Sequence, residues 1–294
     1  MSRRVRYYLT LSVLVLAIAA AASGQNIILK DGRKIAAKGL RRQGNVIMAT
    51  VDRPGSEEVV GTKAMGEVGY SISQIAKIEF PKPAQLTTAP YLILEGKPGE
   101  ALAQIEPVIR YYDNFLDAPG SWWAETALLK VEALVAMGNR KDAEPLIELV
   151  ARTATDPETS LAVKVYVGST LARRGDHAKA IELEDLVLAG ATNPATLAAA
   201  AIFKGESHLA LKQYDDAVLA FLQIPVFYPE QKLYVPPSLL GAGRAFFALE
   251  DFPRAREALN QIVASYGSTP QAKEAQTELA RIARREKALA DPAP

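Results

Sequence analysis

Few side chains in this sequence have the types and spacing that catalysis or metal binding requires. The 294 residues include no cysteine and only two histidines, His177 and His208, neither with a histidine or cysteine nearby in sequence. Thiolate chemistry, disulfides and attachment through a lipoprotein cysteine are therefore excluded, and a histidine-based metal site is disfavoured. We expect structural roles for His177, at a turn, and for His208, in the core of a helix.

Neighbouring carboxylates occur in the segment IELEDL (residues 181–186) and at Asp215–Asp216. Glycoside hydrolysis needs two carboxyl groups that face each other across a cleft. On a helix these neighbours are predicted to lie side by side on the exposed surface. We therefore interpret both groups as a solvated helix face.

The segment Gly241-Ala242-Gly243 matches only the first two glycines of a nucleotide-binding pattern. No strand is predicted before it and the third glycine is missing, so the dinucleotide interpretation lacks its structural context. Neither a P-loop nor a G-x-S-x-G nucleophile motif occurs. The sequence thus predicts no catalytic residue, no metal and no cofactor, and we expect a protein that is not an enzyme.

Composition sets the broad class. Apolar residues make up 49% of the chain, which is enough for a sizeable core, and 34 basic residues nearly cancel 33 acidic ones. A chain with so little net charge is not predicted to bind nucleic acid or a membrane surface. Its length allows two domains.

The first 24 residues have the parts of a secretory signal peptide. Arg3, Arg4 and Arg6 precede an uncharged apolar run from Leu9 to Ala22, and small residues follow. The run is shorter than the roughly 20 residues that span a bilayer, so cleavage after Gly24 is favoured over an uncleaved anchor. We expect an exported, periplasmic protein, the alternative being an inner-membrane anchor that faces the periplasm.

Residues 25–83 have the pattern of a small β module. NIILKDGRKI places Asp31–Gly32 between two apolar stretches, as in a tight hairpin, and RPGSEE (53–58) supplies a second turn. In YSISQIAKIEF the side chains of Ile72, Ile75, Ile78 and Phe80 are predicted to face a core. Four or five short strands favour a β-barrel-like module, which resembles SH3-like or Sm-like modules.

Six basic residues cluster in this module. One interpretation is a patch for an anionic polymer or headgroup; the other is that charged side chains cover the solvent face and protect strand edges. No aromatic residue interleaves with the cluster, so stacking on nucleic acid is not supported and the second interpretation is favoured. The cluster consists of Lys30, Arg33, Lys34, Lys38, Arg41 and Arg42.

From residue 84 to residue 290 the sequence repeats a helix–turn–helix unit. A small residue recurs every 37 or 38 residues, at Val131, Gly168, Gly205 and Gly243, and an alanine follows each of them by 12 residues. Leu92–Ile105 is a degenerate first unit, Ser268–Leu289 a capping helix, and residues 291–294 a disordered tail. The pattern predicts a mainly α protein, an α-solenoid of helical pairs after the small β module.

The landmarks of these units resemble those of the tetratricopeptide repeat, most closely in Ala201–Pro229 and Leu239–Pro270. The segment ALNQIVASYGSTPQAKEA is similar to the longer repeats of periplasmic envelope proteins, among them outer-membrane assembly lipoproteins and Tol-associated proteins. This resemblance implies a scaffold of the cell envelope that binds other proteins.

In such a solenoid the first helix of each pair lines the concave side. We expect a peptide or helix of a protein partner to bind there, without chemistry. Two alternatives stay open: polysaccharide binding or assistance to an envelope enzyme through the basic β module, and self-assembly into homo-oligomers. Trp122–Trp123 are predicted to pack against the preceding unit. The predicted partner-binding residues are Glu132, Val135, Ser169, Arg173, Glu206, Leu209, Arg244 and Phe247.

Overall fold

The computed structural model describes residues 25–52, 65–154 and 156–290. The predicted signal peptide, the turn at 53–58 and the tail at 291–294 lie outside the described residues. Contacts within the chain define two compact units. Among the described residues, the first comprises those up to Pro83 together with Arg110–Trp123, and the second comprises Ala84–Ile109 and those from Ala124 onward.

The described residues of the first unit form six strands in two three-stranded sheets, where the sequence predicted four or five strands. All pairings are antiparallel, in the orders β2-β1-β6 and β3-β4-β5. The strands are β1 (Gln25–Leu29), β2 (Lys34–Ala37), β3 (Gly39–Gln43), β4 (Val46–Asp52), β5 (Met65–Ser71) and β6 (Ile75–Glu79).

The predicted hairpin joins β1 to β2. Gly32 has a φ of 88°, a left-handed conformation that glycine adopts without a steric penalty, and Asp31 accepts a hydrogen bond from the backbone of Arg33. Ile75 and Ile78 are at most 1% exposed, as the alternating pattern of the last strand predicted.

The second unit is an α-solenoid, as predicted, and it includes most of α2 and α3. Helix pairs follow one another along the chain, and a longer single helix ends the array. The helices are α1 (Gln85–Leu94), α2 (Pro98–Tyr112), α3 (Trp123–Ala136), α4 (Arg140–Thr153), α5 (Pro157–Arg173), α6 (His177–Gly190), α7 (Pro194–Ala210), α8 (Tyr214–Phe227), α9 (Val235–Ala248), α10 (Phe252–Ser265) and α11 (Pro270–Ala290).

Prolines mark where the units begin. Pro157, Pro194 and Pro270 are the first residues of α5, α7 and α11, a position where the missing N–H has no helical partner to lose. Asp156 and Asn193 cap α5 and α7 by accepting hydrogen bonds from backbone N–H groups of the first turn. The prolines therefore start the next helix rather than only stopping the previous one.

The recurring small residues make room for a large side chain from the second helix of the pair. A Cβ on Gly205 would lie 2.7 Å from the Phe221 ring, and one on Gly243 would lie 2.8 Å from Leu259. The landmark alanines pack without exposed surface in the same crossing, as at Ala217. A small residue on the first helix of a pair thus packs against a large side chain on the second helix, and this contact recurs along the solenoid. No helix within the described ranges is both long and apolar enough to span a membrane.

Candidate functional site

A groove of about 690 Å³ lies within the second unit, a volume in the range of ~300–1,000 Å³ that ligand sites occupy. The first helices of the pairs form its wall, as the sequence predicted. The outer helices α2, α4 and α6 contribute their first residues alone, Pro98, Arg140 and His177. The lining residues come from α1, α3, α5, α7, α9 and α11 and from the connection before α9.

The two ends of the solenoid meet at the groove. A Cβ on Gly96, in the turn between α1 and α2, would lie 2.8 Å from Cγ of Pro270, the first residue of α11. Both residues line the groove. The turn of the first pair therefore lies against the start of the last helix at one edge of the groove.

Glu132 on α3 is held by two tyrosines. Its Oε1 accepts hydrogen bonds from the hydroxyl of Tyr166 on α5 at 2.6 Å and from that of Tyr234 at 2.5 Å. Burial raises the pKa of Glu132, against the effect of these two bonds, and burial also raises the pKa of both tyrosines well above 10. The phenols therefore stay protonated as donors, which makes the cluster a structural junction and a poor acid–base pair.

Tyr234 reaches Glu132 because its connection is long. The links before α5 and α7 run only from Ala154 to Asp156 and from Ala191 to Asn193, whereas the link before α9 runs from Tyr228 to Tyr234. Leu233 and Tyr234, at its end, line the groove. The spacing of the landmarks gives little sign of this junction, since it is 38 residues across this connection against 37 in the preceding units.

The side chain of Glu206 on α7 lines the groove. No hydrogen bond or ion pair joins its side chain, or that of the groove residue Arg140, to another described residue. Although Glu206 keeps exposed surface within the groove, the surrounding helices partly desolvate its carboxyl group and raise its pKa to about 7, against the opposing charges of Arg244 and Arg140. A carboxylate that has a raised pKa and no hydrogen-bond or ion-pair partner in the described structure is a candidate contact for a partner protein.

Three further polar atoms without a hydrogen-bond partner belong to groove residues. Ser207 is fully buried and its Oγ has no partner within the described part of the chain; the same is true of Oε1 of Gln271 and Nδ1 of His177. Buried polar atoms are rarely left unpaired in folded proteins, so their gathering around one space indicates a place where a ligand supplies partners.

Five of the eight predicted partner-binding residues line the groove: Glu132, Val135, Ser169, Arg173 and Glu206. Arg173 is already engaged, since it donates a 2.5 Å hydrogen bond to Glu144 on α4. The structure gives the positions of these residues, and the role of each residue in binding stays a prediction.

The structure places the other three predicted residues away from the groove, two of them because α11 continues the row of inner helices and Leu209 because it packs into the core. Arg244 pairs with Glu274 and Glu278 of α11, and the Arg281 guanidinium lies 4.3 Å from the centre of the Phe247 ring. Leu209 packs against the apolar core. The prediction treated α11 as a cap at the end of the array, whereas α11 also covers the inner face of α9.

One of the carboxylates predicted to be solvated is buried. Glu184, in the IELEDL segment, has no exposed surface, and neither of its oxygens has a hydrogen-bond partner in the described structure. It occupies the position that Phe221 and Leu259 hold in the following units, against Gly168. Burial raises its pKa to about 8. The prediction of an exposed face was therefore wrong at this residue, although Asp215 and Asp216 are exposed.

The histidines differ from one another in position. His177 is the first residue of α6, at a repeat turn as predicted. His208 was expected in the helix core, but its ring is partly exposed and its Nδ1 lies 2.7 Å from Oε1 of Gln213. Within the residues that the structure describes, no group of histidine, aspartate and glutamate side chains is arranged to hold a metal ion.

Within the first unit the basic cluster is largely paired with carboxylates. Arg33 pairs with Asp31, Lys34 with Glu79, Lys38 with Asp52, Arg41 with Glu67 and Arg42 with Asp117. Pairing of this kind supports a solvated surface and leaves little unpaired charge for an anionic ligand.

The two tryptophans pack within the first unit. Nε1 of Trp122 donates to the carbonyl of Phe80 at 3.2 Å, and Nε1 of Trp123 donates to Asp113 at 2.9 Å. Trp123 is 1% exposed, so its role is in packing rather than in stacking on a ligand.

Comparison with known proteins agrees with this architecture. The family profile of the tetratricopeptide repeat matches residues 240–291, which span most of α9 together with α10 and α11. No curated protein matches the chain.

Two solved structures resemble it, both of a Podosopora anserina protein assigned as a kinesin light chain with nearly identical TPR-like repeats. A single-substitution variant has 21% identity and a TM-score of 0.39, and the other structure has 20% identity and a TM-score of 0.37. Each comparison covers 62% of this chain and 92% of the other.

Proposed function

We propose that this protein is a non-catalytic scaffold that binds a protein partner in the groove of its α-solenoid. Tetratricopeptide repeats generally mediate protein–protein interaction, and solenoids of this kind use their concave surfaces for binding. The observation that carries the proposal is that buried polar atoms of Ser207, Gln271 and His177, which have no hydrogen-bond partner among the described residues, gather around one groove beside Glu206. Between them lie apolar side chains, such as Ile202 and Phe203, that can take a partner's apolar residues.

Photo-crosslinking in the intact cell tests this proposal. A benzoylphenylalanine replaces Val135 in the groove, and a matched replacement at Leu219, which is 67% exposed on the outer helix α8, serves as the control. We expect one protein to be linked at Val135 and not at Leu219. Equal linking at both positions, or linking at Leu219 alone, would show that the groove is not the binding surface.

The place of action belongs to the same proposal. We propose that the scaffold works in the cell envelope after export, on the strength of Arg3, Arg4, Arg6 and the apolar run that follows them. Mass spectrometry of the purified cellular protein would show a first residue at or near Gln25 if the segment is cleaved. A full-length chain recovered with the cytosolic fraction would contradict both cleavage and export.

A further inference from the structure

Within the proposed scaffold function, the chemistry of the groove points to one kind of contact on the partner. We infer that the groove binds a basic side chain, lysine or arginine, of an extended peptide segment, and that the cationic head group lies against the carboxylate of Glu206. The inference concerns what the partner presents, and it rests on the groove being the binding surface.

The unpaired groove atoms on α7 and α11 are mostly acceptors, whereas Arg140 at the start of α4 is a donor and His177 at the start of α6 presents a ring nitrogen. The carboxylate of Glu206 and Oε1 of Gln271 can only accept, and the Ser207 hydroxyl can do either. Lysine offers three N–H donors and arginine offers five, with no acceptor of their own. A basic side chain therefore supplies donors to Glu206, Ser207 and Gln271, whereas a carboxylate from the partner would find its donor at Arg140 instead.

Charge at the groove favours the same ligand. The other cations near Glu206 are largely committed, since Arg173 pairs with Glu144 and Arg244 pairs with Glu274 and Glu278 on α11. Arg140 is the one groove arginine without such a pair in the described ranges, and it lies close enough to lower the pKa of Glu206 without bonding to it. The Glu132 carboxylate is taken by Tyr166 and Tyr234. Glu206 is thus the carboxylate left for an incoming cation.

The shape of the groove also fits the aliphatic part of a lysine or arginine side chain. Phe203, Glu206 and Ser207 stand at i, i+3 and i+4 on α7 and so share one face of the helix, and all three line the groove. The aliphatic part of lysine or arginine can lie along Phe203 while its charged end reaches Glu206. A small apolar surface beside a desolvated acceptor is the arrangement that selects a long cationic side chain over a short polar one.

Selection from a random dodecapeptide library displayed on phage, with the full chain as bait, tests this inference. We expect enriched peptides to share a lysine or arginine at one position. Replacing that residue by norleucine should raise the Kd by roughly 10-fold or more, because a charge-assisted hydrogen bond is lost. The Glu206→Gln variant should show a similar rise, and in it the norleucine replacement should have little further effect.

The control is Glu148→Gln, the same charge change at an exposed residue of α4 that does not line the groove; it should leave the Kd unchanged. Because the norleucine peptide needs no protein variant, the test holds even if Glu206→Gln folds poorly. Equal binding of the lysine and norleucine peptides, or a shared acidic residue that depends on Arg140, would overturn the inference alone. If no peptide is enriched, or if binding persists when Val135→Arg fills the groove, the scaffold function falls and the inference falls with it.

Discussion

Tyr234 donates a 2.5 Å hydrogen bond to Glu132, a residue 102 positions earlier in the chain and three inner helices away. In an array of stacked repeats each unit normally contacts only its neighbours. This bond instead joins α3 to the connection before α9, and Tyr166 on α5 donates to the same oxygen. The curvature of the array is therefore fixed by a junction inside the groove as well as by packing between successive pairs.

Removing the Tyr234 hydroxyl tests that junction. Tyr234→Phe leaves the desolvated Glu132 with one donor instead of two, and we expect the free energy of unfolding to fall by roughly 1–3 kcal/mol. Denaturant unfolding measures it. Tyr214→Phe is the control, since the hydroxyl of Tyr214 has no hydrogen bond within the described residues, and its loss should change stability little. Equal effects of the two variants would contradict the structural role of the bond.

Glu184 makes stability depend on pH. Its pKa is raised to about 8 from an ordinary 4.5, so the folded state binds the proton more tightly than the unfolded chain does. The stabilising contribution of protonated Glu184 is complete below pH 4.5 and is lost as the pH rises toward 8, at about 1.4 kcal/mol per pH unit. Glu184→Gln should flatten this fall in unfolding experiments between pH 5 and 8.

The exposed Glu182, on the same helix, provides the comparison for Glu184. Glu182→Gln makes the same charge change outside the core and should keep the pH dependence of the parent chain. Glu184→Leu restores the apolar side chain that the following units carry and should raise the melting temperature at pH 8. A parent chain whose stability is constant between pH 5 and 8 would argue against a desolvated, unpaired Glu184.

The packing of large side chains against the recurring small residues can be tested at Gly205. A methyl group there would lie 2.7 Å from the Phe221 ring, so Gly205→Ala should cost about 1–3 kcal/mol of unfolding free energy. Phe221→Leu in the same chain should recover part of that loss, which a double-mutant cycle would show as a coupling. Gly99→Ala on α2, with nothing within 4 Å of the new methyl, should instead stabilise by up to about 1 kcal/mol.

Two glycines with nearly the same backbone conformation test the contact between the ends of the solenoid. Gly96 and Gly138 have φ values of 75° and 74°, but only Gly96 has a neighbour for an added methyl group, the ring of Pro270. Both alanine variants should lose roughly 1–2 kcal/mol to left-handed strain. Gly96→Ala should lose more and should also speed hydrogen exchange at residues 93–97. Matching losses in the two variants would mean that the contact with Pro270 contributes nothing.

The sequence predicted the repeating part of this structure because every unit must solve the same packing problem. Val131, Gly168, Gly205 and Gly243 are small where a second helix crosses, so their spacing revealed the helical pairs directly. The inner position of Glu132, Ser169 and Glu206 followed from the same register. The hairpin at Asp31–Gly32 followed from local backbone chemistry alone.

What the sequence did not reveal depends on a substitution within one unit and on contacts between distant units. Glu184 resembles any surface glutamate until the register aligns it with Phe221 and Leu259. Arg244 and Phe247 belong to the predicted inner face, but α11 packs over them, and that coverage depends on how the last helix continues the row. Tyr234 lies in a connection whose path is set by the curvature of the whole array, which no local pattern specifies.

The contact between Gly96 and Pro270 has a consequence for how this architecture can change over time. Linear arrays of repeats gain or lose a unit at little cost, because each unit needs only its two neighbours. Here a duplicated pair would push the first turn away from the last helix, and a deleted pair would drive them into each other. We therefore expect natural length variation in relatives to fall in the connections, such as the one before α9, and not in whole helical pairs.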